Sequence, residues 1–417
     1  MVKNIDGGIF AAAGYKAASM RVGIKSTGEN RDLSLMVSET PATVAGTFTK
    51  NIVKAAPVKW DMEVVNRGVA RAIVVNTGIA NAATGTEGYE NCRKEAEAVA
   101  EALNENAGLG SPVSVDEVLT MSTGVIGPQI PVDKITAGVK ELSKKLFTAP
   151  AYDEAHEVAK AIMTTDTMPK EIAVEFEAGG KTCHIGAICK GSGMIHPNMG
   201  TMLGFMLSDV AIDQKLLQKL LRDVVELTFN MVSVDGDTST NDTVVFLANG
   251  AAGNELITED SDYDEFLEAL TVVSTFLAKN IAKDGEGATR LFTAKVVGAP
   301  DYETAKTLAK SIITSNLSKA AIYGRDANCG RIFCAMGYSG ADFDPDKVDI
   351  TMMSEAGSIK LIEQGTLQAF SEEEALKVLT PDEITALCDL HAGTFEAKAW
   401  GCDLTHEYVT INADYRS

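Results

Sequence analysis

A chain of 417 residues is two to three times the usual domain length, so it can bury a sizeable core as one large domain or two medium ones. With 45% hydrophobic and 23% charged residues it has the balance of a globular protein, which excludes disordered and fibrous classes. The 58 acidic and 37 basic residues leave a formal charge of −21, which repels phosphates and argues against nucleic acid or an anionic membrane as partner.

The chain opens with "MVKNIDGGIFAAAGYKAASM", small apolar residues without the continuous run of a leader, and no stretch of about eighteen apolar residues occurs. A cytoplasmic protein is expected. "RAIVVN" at 71–76 reads as a strand and "ENCRKEAEAVAEALN" at 90–104 as a helix. "STGVIGPQIP" at 122–131 reads either as a turn or, through the Thr123 hydroxyl and the Gly124 N–H, as a donor pair for an oxyanion. The helical pattern "DEAHEVAKAIMTT" precedes the strand-like "KEIAVEFE". Residues 178–201 then hold Gly179, Gly180, Gly186, Gly191, Gly193 and Gly200, a turn-rich approach to an apolar run that opens with Thr201. An amphipathic helix is expected at 214–232, a buried strand at "DTVVFLANGA", a long helix from about 261 to 283 and a returning strand at "RLFTAKVVGA". The class is mixed α and β.

The seven cysteines are odd in number and form no CxxC pair, which suits reduced thiols, and the five histidines show no zinc-ligand spacing. No metal and no cofactor are expected. The glycine-rich segment matches neither a P-loop nor a dinucleotide fingerprint.

Thr201 raises a chemical question, since a threonine hydroxyl is a weak nucleophile unless a base adjoins it. One solution uses the threonine's own α-amine, whose pKa of about 7.7–8.0 lies near neutrality, but this needs cleavage of the bond before it. Gly200 leaves that bond open to strained geometry and to attack by the Thr201 hydroxyl. On spacing alone the favoured reading is that Thr201 merely starts a strand after a turn. Lys190 reads either as a solvated surface charge or as a holder of a carboxylate, and His196 in its His-Pro loop as structural or as a catalytic aid.

Several stretches in order settle these alternatives by resemblance. "GTFTKNIVKAAPV" at 46–58, "VNTGIANAATG" at 75–85, "STGVIG" at 122–127, "AIMTTDTMPK" at 161–170, "KGSGMIHPNMGTML" at 190–203, "GRDANCGRI" at 324–332 and the final "INADYRS" resemble the ornithine acetyltransferase (glutamate N-acetyltransferase) family of arginine biosynthesis. The resemblance implies an α+β fold, an N-terminal-nucleophile-like αββα sandwich with an additional smaller α/β C-terminal region. It implies self-cleavage between Gly200 and Thr201, giving an α chain of 1–200 and a β chain of 201–417 that form one catalytic unit. Thr201 is then the nucleophile, Thr123 and Gly124 the oxyanion donors, and Thr164, Lys190, Thr201, Glu286, Asn412 and Ser417 the substrate contacts. The implied reaction moves acetyl from N-acetylornithine to glutamate through an acetyl-enzyme, with acetyl-CoA left open as a second donor. The implied assembly is a heterotetramer of two αβ units. Gly200 departs from the alanine common before the family's nucleophile. An amidase or aminopeptidase on the same scaffold, and a non-catalytic amino-acid-binding protein, are the alternatives.

Overall fold

A computed structural model describes residues 1–25, 28–105, 109–148, 151–196 and 202–414 of the chain. Nine strands form the larger sheet: β1 (Lys3–Ile5), β2 (Tyr15–Met20), β3 (Leu33–Phe48), β4 (Val69–Ile79), β5 (Val118–Val125), β6 (Lys170–Ala178), β7 (Lys181–Lys190), β8 (Leu203–Ser208) and β9 (Thr243–Ala248). Their order is β1-β6-β7-β8-β9-β3-β4-β5, with β2 also paired to β3. The long β3 joins two halves of this sheet. Its first part pairs with β2 and β4, its register shifts between Val37 and Ala42 around Pro41, and its last part pairs with β9 as well as β4.

Period-two alternation explains how the halves stack. Along β8 and β9, Met206, Val244 and Phe246 face one apolar cluster, and Phe205, Leu207, Val245 and Leu247 face another. The second cluster also takes Leu33, Leu35 and Val37 of β3 and both faces of β4. The Tyr15 hydroxyl on β2 donates to the Ser208 and Leu247 carbonyls at 3.0 and 2.9 Å, tying one half to the other. Helices α1 (Ala56–Arg67), α2 (Gly85–Glu105), α3 (Val132–Lys145) and α4 (Ala151–Ala161) pack beside β2–β5. Helices α5 (Gln214–Leu227) and α6 (Asp264–Lys283) add their apolar stripes to the first cluster, against the β6–β9 half. The expected α+β sandwich is thus present, helix layers enclosing stacked sheet halves.

The smaller C-terminal region is also present. Its six strands, β10 (Leu291–Ala299), β11 (Asp349–Ser354), β12 (Gly357–Glu363), β13 (Thr366–Leu367), β14 (Glu383–Asp389) and β15 (Phe395–Cys402), run in the order β13-β12-β11-β14-β10-β15. Helix α7 (Tyr302–Thr314) lies on β10 and β15 with α8 (Asn316–Gly324) and α9 (Cys329–Gly337) beside it, and α10 (Glu372–Val378) packs on β11 and β12. The last described element is α11 (His406–Asp414). The helix expected over 214–232 stops earlier: Thr228 takes φ −125° and ψ −84°, its hydroxyl donates to the Val224 carbonyl, and a 3₁₀ turn follows at Phe229–Met231. Among the described residues no helix is long and apolar enough to cross a membrane.

Two buried carboxyls behind β5 have no counter-charge among the described residues. Asp61 on α1 accepts a hydrogen bond from Thr120 N at 2.7 Å, while Asp61 Oδ2 and Glu95 Oε1 have no partner among the described residues. Burial pushes Glu95 up to about 8, and pushes Asp61 well above its usual range with Glu95 adding to the effect. A carboxyl whose folded pKa is raised holds its proton in the folded chain, so its contribution to stability is full below the unfolded value and is lost as pH climbs to about 8. Glu95→Gln should therefore raise the melting temperature at pH 8, by about 3 °C or more, and change it much less at pH 5. Calorimetry at the two pH values checks this; an equal shift at both would show that ionisation of Glu95 is not what burial opposes.

Candidate active site

One cavity of about 130 Å³ brings together segments far apart in the chain: Thr123 and Gly124, Thr164, Lys190, Met202 and Leu203, Asp242, Glu286 and Asn412 all line it. Each arrives on a different support. Thr123 and Gly124 end β5, in parallel register with Thr77 and Gly78 of β4. Gly124 has φ 131°, and a Cβ there would lie 2.2 Å from the Gly78 carbonyl carbon, so only glycine permits this approach. Lys190 ends β7 opposite Leu203, and Leu203 pairs in parallel with Thr243. The Asn241 amide donates to the Ala80 and Ser122 carbonyls at 2.6 and 2.8 Å, which holds the 239–242 segment against the strand that carries Thr123.

Glu286 follows α6 and is buried, not a surface carboxylate at a helix end. Its backbone N–H donates to the Ser192 carbonyl at 3.1 Å, and its Oε2 accepts from Asn412 Nδ2 at 2.7 Å. A Cβ on Gly193 would meet Glu286 Oε1 at 2.2 Å, so the loop after Lys190 passes the carboxylate only as glycine. Asn412 is exposed and reaches the cavity from α11. Thr405 fixes the approach to that helix by donating its hydroxyl to the Gly287 carbonyl at 2.8 Å.

Behind the cavity lies a buried ion cluster that the sequence reading did not find. Lys170 Nζ lies 2.7 Å from Asp166 Oδ1 and 2.6 Å from Asp284 Oδ2, its side chain fully enclosed. The remaining lone pairs of the two carboxylates hold backbone. Asp166 accepts from Gly191 N at 2.7 Å and Thr164 N at 3.0 Å. Asp284 accepts from Thr167 N at 3.1 Å and from the Thr167 hydroxyl, and its carbonyl accepts the Ser192 hydroxyl at 2.6 Å. Burial alone would raise the Asp166 carboxyl, but the ammoniums of Lys190 and Lys170 hold it down at about 2.

Lys190 is buried as well, which corrects the reading of it as a solvated charge. Burial lowers its pKa, Asp166 pulls it back up and Lys170 pushes it down again. Asp242 was missed as well: it is 1% exposed and lines the cavity. His196 does not line it. Its Nδ1 meets Ser233 Oγ at 3.1 Å, and burial with Lys310 nearby brings the imidazole down to about 4. Gly200, Thr201 and Ser417 lie outside the described residues.

The cavity can hold a small zwitterion, with Lys190 for a carboxylate, Glu286 for an ammonium, and the Thr123 hydroxyl with the Gly124 N–H for a developing oxyanion. That is the equipment of an enzyme working on an amino-acid derivative. The ArgJ family model matches residues 16–417, and the chain belongs to that family. It is 48% identical over 404 residues to the arginine biosynthesis bifunctional protein ArgJ 1 of Clostridium acetobutylicum, covering 97% of this chain and 96% of the relative. It is 47% identical over 395 residues to the glutamate N-acetyltransferase of Methanopyrus kandleri, covering 95% and 97%. A solved chain of the arginine biosynthesis bifunctional protein from Bacillus halodurans is 46% identical, with a TM-score of 0.49, over 51% of this chain and 99% of its own.

The ion cluster predicts its own perturbation. Lys170→Met leaves two buried carboxylates without their cation, a change that costs on the order of 3–5 kcal/mol. Thermal unfolding at pH 7 should shift down by about 3–6 °C. A shift within about 1 °C would mean that the cluster is not a structural tie.

Proposed function

We propose that the chain is a self-processing acyltransferase, a glutamate N-acetyltransferase that moves acetyl from N-acetylornithine to glutamate and so releases ornithine and forms N-acetylglutamate. In this reading the precursor cuts itself between Gly200 and Thr201 into fragments of 1–200 and 201–417. The freed α-amine takes the proton of the Thr201 hydroxyl, whose oxygen attacks the acetyl carbonyl. The Thr123 hydroxyl and Gly124 N–H stabilise the oxyanion, an interaction worth about 3–4 kcal/mol per donor in comparable acyl transfers. Lys190 takes the substrate's carboxylate and Glu286, held by Asn412, its distal ammonium, with Thr164 and Ser417 completing the contacts. Glutamate then enters the vacated pocket, and its amine attacks the acetyl-enzyme.

The observation that supports this most is the single cavity at which Thr123, Gly124, Thr164, Lys190, Glu286 and Asn412 meet, with Met202 and Leu203, the residues after Thr201, on its wall. Family membership supports the substrate pair, since relatives across nearly the whole chain carry arginine-biosynthesis and glutamate N-acetyltransferase names. The assembly we propose is two αβ units. Seven free thiols, six of them buried, support a reducing cytoplasmic setting.

Three measurements test the reading. Thr201→Ala should remain one chain and be inactive, whereas Thr201→Ser should still be cut and keep part of its activity. Thr123→Ala, once shown by denaturing gel to be cut, should lose about a hundredfold in turnover. Ornithine release from N-acetylornithine should need glutamate for continued turnover; release that ignores glutamate would instead identify a hydrolase. The same assay with acetyl-CoA as donor reports whether a second donor is used.

A further inference from the structure

Asp242 has no part in the chemistry above, yet its position is that of a reacting group. It lies immediately before β9, at the level of Met202, since Leu203 pairs in parallel with Thr243 and Thr243 N donates to the Met202 carbonyl at 2.9 Å. Its own carbonyl accepts from Thr49 N at 2.9 Å, so the backbone is held from both sides. The side chain lines the cavity and is 1% exposed, and its carboxyl lies beside the Thr49 hydroxyl and the Met202 N–H without reaching good hydrogen-bond geometry with either. A buried carboxyl with both oxygens unmet is costly unless a ligand completes it.

We infer that Asp242 is a further catalytic residue, which meets the nitrogen bonded to the acetyl group and hands it a proton as it leaves. The inference rests on the acyl-transfer reading proposed above and adds a proton donor to it. Burial pushes the Asp242 carboxyl well above its usual range, more than the neighbouring Thr49 hydroxyl, the Met202 N–H and the charge of Lys190 pull it down, which favours its protonated form. The other ionisable groups lining the cavity are Lys190 on β7 and Glu286 beyond α6.

The step balances. As the C–O bond to the Thr201 oxygen forms and the C–N bond breaks, the Thr201 hydroxyl proton passes to the Thr201 α-amine. The Asp242 proton passes to the departing nitrogen, which leaves as an amine and leaves Asp242 as a carboxylate. In the second half the glutamate amine attacks, gives a proton to that carboxylate and restores the acid, while the α-ammonium returns its proton to the Thr201 oxygen. An amine is a poor leaving group without that proton; a nitrophenolate is a good one with no proton at all.

The test compares two acetyl donors on the cut enzyme, N-acetylornithine and p-nitrophenyl acetate. Asp242→Asn, confirmed as cut by intact mass, should lose about a hundredfold in ornithine release and stay within about threefold of the wild type in nitrophenol release. Equal losses with both donors, or no loss with either, would overturn the inference. A second arm uses the wild type alone and so does not depend on how the variant folds or processes. Ornithine release should fall as rising pH removes the Asp242 proton, while nitrophenol release holds; parallel profiles would also overturn it. A wild type that forms no acetyl-enzyme from either donor would instead sink the acyl-transfer reading on which the inference stands.

Discussion

The site depends on one lysine placed between two aspartates where water cannot reach. Lys170 on β6 bridges Asp166 and Asp284, and each carboxylate spends its other lone pairs on backbone N–H groups of the segments that carry Thr164, Thr167 and Gly191. Two buried anions and one buried cation would be a heavy desolvation load on their own. Here the remaining charge is met by Lys190, whose ammonium also draws on Asp166, and the hydrogen bonds are nearly saturated. The result is that the loop before β6, the end of β7 and the end of α6 cannot move independently. Such rigidity is what a reacting pocket needs, because misplacement of donors by about 1 Å can cost about a hundredfold in rate.

From that tie the rest of the geometry follows. Glu286 sits two residues beyond Asp284, and its N–H bonds to Ser192, two residues beyond Lys190. The Thr123–Gly124 side of the cavity is positioned separately, by β5 against β4 at Gly124 and Gly78 and by Asn241 reaching Ala80 and Ser122. The two subassemblies meet across β8 and β9, where Met202 lies beside Asp242. The larger sheet is therefore more than a scaffold: the parallel register of β8 on β9 sets what stands beside Met202.

Much of the secondary structure was legible because burial imposes periodicity. β4 and β9 are continuous apolar runs since both their faces are covered, and α5 carries a leucine every three or four residues. The end of α5 was not legible, because Thr228 leaves the helix in a conformation that tertiary packing selects. The bend in β3 was missed too, since pairing with β9 on one side and β4 on both its parts is a long-range property. Within the site, Thr123, Lys190 and Glu286 were reached through motif resemblance rather than chemistry, as an isolated lysine or glutamate reads as a surface charge. Asp166, Lys170 and Asp284 carried no local signal: Asp284 lies 114 positions from the lysine that pairs with it. Asp242 sat at the start of an expected strand, and only the fold shows that it lines the cavity.

The central claim is that acetyl passes through a covalent enzyme at a chain end created by self-cleavage. The most direct measurement is intact and peptide-level mass spectrometry of the purified enzyme after brief exposure to N-acetylornithine without glutamate. The account predicts two fragments, with one acetyl group on the 201–417 fragment, mapped to the peptide that begins at Thr201 and removed when glutamate is added. A single uncut chain, or an acetyl group on any other residue, would contradict it.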